Sequence, residues 1–69
     1  MIKLNKFKPK SNEKAHEFVL NAELIEMVEE TPDTVVTLVN GNKLLVEESM
    51  DEIVRLVIQY RQALTRFAR

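Results

Sequence analysis

The sequence predicts a small α+β domain, in which an antiparallel β-meander of about four to five short strands precedes one long C-terminal helix. Two turn signals, Thr31-Pro32-Asp33-Thr34 and Asn40-Gly41, separate short apolar runs, which is typical of a hairpin meander. A helix-start signal at Ser49 then opens a segment that contains neither proline nor glycine.

With 69 residues the chain is expected to form a single domain over residues 1–69. The β part is predicted over residues 1–47 and the helix over 49–69. Residues 5–15 are polar, contain Pro9 and show no periodicity, so we predict an exposed loop there.

Two short strands are predicted on either side of that loop. Residues 1–4 alternate apolar and polar side chains, and residues 16–20 (HEFVL) form a short apolar run. The single histidine, His16, lies at the start of this second run, and we interpret it as an ordinary, partly buried imidazole.

The meander itself is predicted over residues 24–47. Residues 24–30 are ambiguous by composition, because Glu and Met favour a helix. The turn at 31–34 and the β-branched run at 35–39 favour a hairpin instead. Asn40-Gly41 predicts a two-residue type I′ turn with positive φ at both positions, and residues 43–47 are the return strand.

The predicted helix begins with a capping box, formed by Ser49 and Glu52. The apolar residues of its first two turns cover a wider arc of the helix surface than one sheet face can bury. The strand predicted at 35–39 likewise has apolar residues on both faces. This surplus predicts a homo-oligomer. An a/d seam is formed by Met50, Ile53, Val57, Tyr60, Leu64 and Phe67. The oligomer-interface candidates are Ile53, Val54, Leu56, Val57, Ile58, Tyr60, Leu64 and Phe67.

Charge is distributed unevenly along the chain. Residues 1–15 carry five lysines and one glutamate, residues 16–52 carry ten acidic residues and one lysine, and residues 53–69 carry four arginines. Such a basic–acidic–basic pattern indicates association between subunits or with an acidic partner, and it says nothing of the fold.

A polar stripe follows the helix on the side opposite the seam. Such a stripe can bind phosphates, anionic lipid headgroups or an acidic protein, and the alternative is a solvated face. Its members are Arg55, Gln59, Gln62, Arg66 and Arg69. The candidates for binding a partner are Arg55, Gln59, Arg66 and Arg69.

No catalytic residue, cofactor site or metal site is predicted. The chain has no cysteine and no phosphate-binding glycine loop, and His16 alone cannot hold a metal. The carboxylates Glu47, Glu48, Asp51 and Glu52 could bind a hard cation, but we interpret them as acidic residues that favour the positive end of the helix dipole. No apolar run approaches the roughly 18 residues of a membrane span, and residues 1–10 lack the apolar core of a signal peptide. We therefore expect a cytoplasmic protein.

The meander resembles the FlbD family of small flagellar proteins, also known as SwrD. The resemblance rests on the order of short motifs between residues 20 and 49, together with Ile2-Lys3-Leu4 at the start. The motifs are Leu20-Asn21, Leu24-Ile25-Glu26, Glu29, Pro32-Asp33-Thr34, Thr37-Leu38, Asn40-Gly41, Lys43, Val46 and Glu48-Ser49.

The resemblance implies a non-enzymatic cytoplasmic protein of motile bacteria. At least one member of the family supports swarming by raising the power of flagellar motors through the stators. Two classes of function are then open for this chain, and the first is an oligomeric adaptor that binds a motor or stator protein. The alternative is a small RNA-binding regulator of motility genes. RNA would then have to use the lysines of residues 3–14 and the polar stripe, because residues 16–52 are strongly acidic.

Overall fold

The computed structural model describes residues 1–7 and 16–67, with side chains of the helix as far as Thr65. One antiparallel sheet contains every described strand, in the order β2-β1-β5-β4-β3, and a single helix follows it. The elements are β1 (Ile2–Lys6), β2 (His16–Leu20), β3 (Ile25–Glu30), β4 (Thr34–Leu38), β5 (Lys43–Val46) and α1 (Met50–Phe67). The predicted α+β architecture is confirmed.

The first strand is longer than predicted. Asn5 and Lys6 belong to β1, where they pair with Glu17 and His16 of β2. Phe7 continues the pairing, since its N–H donates to the carbonyl of Leu45 (3.0 Å). The prediction of a loop from residue 5 was therefore wrong for residues 5–7, because cross-strand hydrogen bonds outweigh their polar composition. Residues 8–15 of that loop lie outside the described residues.

A short 3-10 helix over Ala22–Leu24 precedes β3, so this strand begins one residue later than predicted. The side chain of Asn21 caps the turn by accepting from the N–H of Glu23 (3.1 Å). This is the local role that asparagine commonly takes at helix starts. The predicted turn is present at residues 31–33, where the Thr31–Pro32 peptide bond is cis.

The hairpin between β4 and β5 differs from the predicted two-residue turn. The N–H of Gly41 donates to the Leu38 carbonyl (2.9 Å), and the N–H of Leu38 donates to the Asn42 carbonyl (2.8 Å). These bonds enclose a three-residue loop, Val39 to Gly41. Positive φ occurs only at Gly41 (93°) among the described residues, so the prediction of positive φ at Asn40 was wrong. The loop has the hydrogen bonds of a turn with a G1 bulge, which needs one left-handed residue rather than two.

Gly41→Val is expected to lower the free energy of unfolding by about 1–2 kcal/mol, because a β-branched residue is strained at this φ. A Cβ atom at position 41 would meet nothing within 4 Å, so the loss would come from the backbone alone. Gly41→Asn should cost less, since asparagine tolerates the left-handed region. Urea denaturation measures both, with Asn42→Val as the control at a neighbouring position; an unchanged midpoint for Gly41→Val would contradict the described loop.

The core lies between one face of the sheet and α1. Alternate residues of the strands point to this face, as the period of two requires. The helix contributes Ile53, only 1% exposed, while Leu56, Val57 and Tyr60 pack against the core from the same side. The buried sheet and loop residues are Ile2, Leu4, Leu20, Ala22, Val36, Leu38 and Val46.

Two side chains cap the start of α1. The Ser49 hydroxyl accepts from the N–H of Glu52 (3.1 Å), as the capping-box sequence predicts. The second cap was not predicted: a carboxylate oxygen of Glu30, at the end of β3, accepts from the N–H of Met50 (2.9 Å). The helix start is thereby fixed to the far edge of the sheet as well as to its own sequence.

A buried carboxylate joins the first strand to the segment before the helix. Glu48 is 9% exposed, and its carboxylate accepts from the backbone N–H (2.9 and 3.1 Å) and the side-chain amide (2.8 Å) of Asn5. The interpretation of Glu48 as one of the acids at the helix N-terminus did not predict this contact with Asn5. Its charge is used inside the fold, where charge-assisted hydrogen bonds are strong.

Candidate functional site

The second half of α1 has little contact with the rest of the fold. Of the helical side chains described, which extend to Thr65, Tyr60 is the last that packs against the core. From Arg61 to Thr65 every side chain is exposed, whichever side of the helix it occupies. An α-helix needs an apolar contact on only one side, so a fully exposed segment is open to a partner.

The polar stripe is exposed as far as the structure describes it. Arg55, Gln59 and Gln62 all lie at the surface and on one side of the helix. The side chain of Arg66 and the whole of Arg69 lie outside the described residues, so two of the four partner-binding candidates are not placed. Arg55 is the described cation of the stripe, and it is available to an acidic partner.

The predicted oligomer-interface residues divide into two groups. Ile53 lies in the core of its own chain, and Leu56, Val57 and Tyr60 pack against that core. Ile53 therefore has no surface to offer a second chain, which corrects its place among the interface candidates. The reason is that one helix covers the sheet alone, so the centre of the a/d seam is used within the chain.

Of the remaining candidates, Val54 and Ile58 form what we call the apolar flank of α1, and Leu64 continues the line of the a/d seam beyond Tyr60. All three are about half exposed, with values of 49%, 50% and 48%. Val54 and Ile58 lie one turn apart and next to the polar stripe. The side chain of Phe67, the last of the candidates, lies outside the described residues.

Arg61 was not among the predicted site residues, although it lies beside the apolar flank. Its guanidinium is 3.8 Å from a carboxylate oxygen of Glu23. The Arg61 side chain is 64% exposed and the Glu23 side chain is 49% exposed. Such a long, solvated ion pair contributes little to stability. A shallow open pocket of about 510 Å³ lies here, lined by Ile58, Arg61, Gln62 and Thr65. The sequence could have indicated this, because Arg61 follows Ile58 by three residues and such residues are neighbours on a helix surface.

A second pocket of about 280 Å³ lies beside the last residue of β1, Lys6, and the first residue of β2, His16. His16 is exposed at its rim, so the interpretation of a partly buried imidazole was wrong. It stands at the end of an edge strand, where one side has no neighbour. The pocket lining is Lys6, His16, Glu17, Phe18, Leu20 and Leu44.

The structure brings no metal-binding group together within residues 1–7 and 16–67. Near the helix start, the carboxylate of Glu48 accepts hydrogen bonds from Asn5. The backbone N–H of Glu52 donates to the Ser49 hydroxyl. Within the same residues, α1 is not a candidate for crossing a bilayer, because its apolar content is too low for its length.

The comparisons with known proteins point to motility. The family model described as flagellar and swarming motility proteins matches residues 1–65, which is nearly the whole chain. The comparisons with curated proteins and with solved structures give no match.

Proposed function

Because this chain belongs to the FlbD family of flagellar and swarming motility proteins, we propose that it is a non-enzymatic cytoplasmic adaptor that self-associates and supports the flagellar motor or its stators. The partner is a motor or stator protein, and it binds the exposed side of α1, from Val54 and Arg55 into the second half of the helix. The alternative, an RNA-binding regulator of motility genes, is separated from the adaptor by the experiments below.

The observation that carries this proposal is the exposed second half of α1. Among the side chains that the structure describes, the fold uses the helix only as far as Tyr60, and Arg61 to Thr65 bury nothing against the core. An isolated helical segment that buries nothing contributes little to the stability of its own chain. A role in binding explains why an exposed helix combines arginine with half-exposed aliphatic residues, since helices that dock into grooves present both.

The composition of the surface indicates the chemistry of the partner. Arg55 and Arg61 provide guanidinium groups that bind carboxylates with two parallel hydrogen bonds. Val54 and Ile58 lie close to these arginines and supply apolar area. The surface therefore suits an acidic groove with an apolar floor. Single-stranded RNA would favour aromatic stacking residues, and none lies on the exposed side of the described helix.

Arg55→Glu is expected to reduce motility on soft agar while leaving the fold intact. An exposed substitution usually changes stability by no more than about 0.5 kcal/mol. The matched control is Lys3→Glu, which makes the same charge change at an exposed position of β1, on the side away from α1. Motility should fall in the first variant, toward that of a strain lacking the gene, and remain normal in the second.

The gene deletion tests the proposal as a whole. A deletion strain should assemble flagella and swim or swarm poorly, and normal motility would contradict the proposed function. Normal motility in Arg55→Glu alone would contradict only the assignment of the partner surface. Affinity capture from motile cells should retain a motor or stator protein after ribonuclease treatment; capture that ribonuclease abolishes would favour the RNA-binding regulator.

A further inference from the structure

The face of the sheet that points away from α1, which we call the outer face, is more apolar than a solvated face requires. Antiparallel sheets with one solvated face alternate apolar and polar residues cleanly. Here the outer positions of the two central strands include Val35 on β4 and Leu45 on β5, the latter 42% exposed. Met27 on β3 is 45% exposed on the same face.

Val35 and Leu45 form one row across the middle of the sheet together with a third apolar residue, Phe7. Val35 pairs directly with Leu45. Phe7 lies opposite Leu45 on the other side, because its N–H donates to the Leu45 carbonyl. The row therefore crosses β4 and β5 to Phe7, which follows β1, and Glu29 of β3 continues it on the other side of Val35 at the edge of the sheet. Directly opposed side chains on one face lie about 5 Å apart, so the row is a continuous apolar ridge.

On β5, opposite charges flank this ridge. On β5, Lys43 lies two residues before Leu45 and Glu47 lies two residues after it. A two-fold axis along the ridge would therefore place Lys43 of one copy over Glu47 of the other, twice. Glu47 already has an interaction within its own chain. A carboxylate has about four acceptor positions, so it can take a second partner.

We propose that two copies of this chain pack through their outer faces, with Leu45 and Val35 on the two-fold axis and Lys43 over Glu47. The dimer rests on the self-association included in the proposed function, and not on the motility role. Two sheets so packed form a sandwich with a helix on each outside face. Both copies of α1 then remain free for a motility partner.

The small area of the outer face limits the affinity expected of the dimer. Strands of about five residues, about 4.8 Å apart, give a face of roughly 24 by 17 Å. That is roughly 400 Å² in projection, whereas a stable interface buries ~800 Å² on each partner. We therefore expect a dimer that dissociates in the micromolar range, and sedimentation velocity from about 1 μM to 1 mM would follow it.

Leu45→Glu places two carboxylates against each other on the axis and is expected to abolish the dimer. Ile58→Glu is the matched control, because it introduces the same charge at a half-exposed aliphatic residue of the apolar flank. It should leave the dimer unchanged. Circular dichroism and the melting temperature establish that both variants fold.

A second test does not depend on Leu45→Glu folding. The chain contains no cysteine, so Leu45→Cys introduces a unique thiol. A short bis-maleimide should cross-link it into a dimer in high yield. Val19→Cys, on the outer face two rows away, would lie roughly 27 Å from its copy and should stay uncross-linked. Lys43→Glu should weaken the dimer about tenfold, and adding Glu47→Lys should restore it.

The outcomes separate the interface from self-association in general. A dimer that Leu45→Glu preserves and Ile58→Glu abolishes would overturn the proposed interface and place self-association on α1. A wild-type protein that is monomeric up to about 1 mM would overturn both. Neither result bears on the motility role, which the deletion strain tests.

Discussion

Ile53→Ala is expected to lower the free energy of unfolding by about 3 kcal/mol, because it removes a side chain that is almost fully buried between α1 and the sheet. A domain of this size is stabilised by only a few kcal/mol, so the variant should be largely unfolded at 37 °C. Val54→Ala, at the next residue, should change stability by no more than about 0.5 kcal/mol, since Val54 belongs to the exposed apolar flank.

Urea denaturation followed by circular dichroism would measure both variants. The pair is informative because the two residues are adjacent and both aliphatic, so they differ mainly in burial. Equal losses at Ile53 and Val54 would contradict the orientation of α1 on the sheet. A large loss at Val54 alone, together with a change in oligomeric state, would place Val54 in a subunit interface.

Glu48→Ala is expected to cost about 2–3 kcal/mol, the second large effect, because it leaves the N–H and amide of Asn5 without their acceptor. Glu48→Gln tests the role of charge at nearly constant volume. A glutamine offers one acceptor oxygen where the carboxylate offers two, so it should recover only part of the loss. The exposed Glu29→Ala serves as the control and should be nearly neutral.

A double-mutant cycle would assign the effect to the contact itself. If Glu48 acts through Asn5, then Asn5→Ala and Glu48→Ala should be strongly non-additive. Additive losses would show that Glu48 stabilises the fold by another route. Thermal unfolding of the four proteins at one pH is sufficient for the measurement.

The sequence predicted the parts of the fold that local patterns determine. The β-branched run before Asn40, the Ser49 cap and the uninterrupted helix are each encoded within a few residues, and each appears in the structure. Of the predicted capping box, the bond from the Glu52 N–H to the Ser49 hydroxyl is present. The turn at Asn40-Gly41 was located correctly but with the wrong geometry. Two-residue and three-residue loops use the same residue pair, and the strand register decides between them.

The contacts that were missed are made between residues far apart in the chain. The residues next to Asn5 in the sequence do not indicate that it belongs to a strand. Its partners are Glu17 on β2 and Glu48 after β5, which are distant in the chain. Glu30 reached the helix start in the same way. For the candidate site, the helical period located the polar stripe, but only the packing of Ile53 showed which side of α1 remains open.

The strand order also bears on how the chain folds. The neighbouring pairs β1–β2, β3–β4 and β4–β5 each connect consecutive segments, so they form as local hairpins with small loop-closure costs. Only the β1–β5 pair joins distant parts of the chain, and the Asn5–Glu48 contact beside it spans 43 residues. We therefore expect the entropy of closing the long connection to fall on the step that pairs the N-terminal hairpin with the meander. The buried carboxylate of Glu48 is the group that secures it.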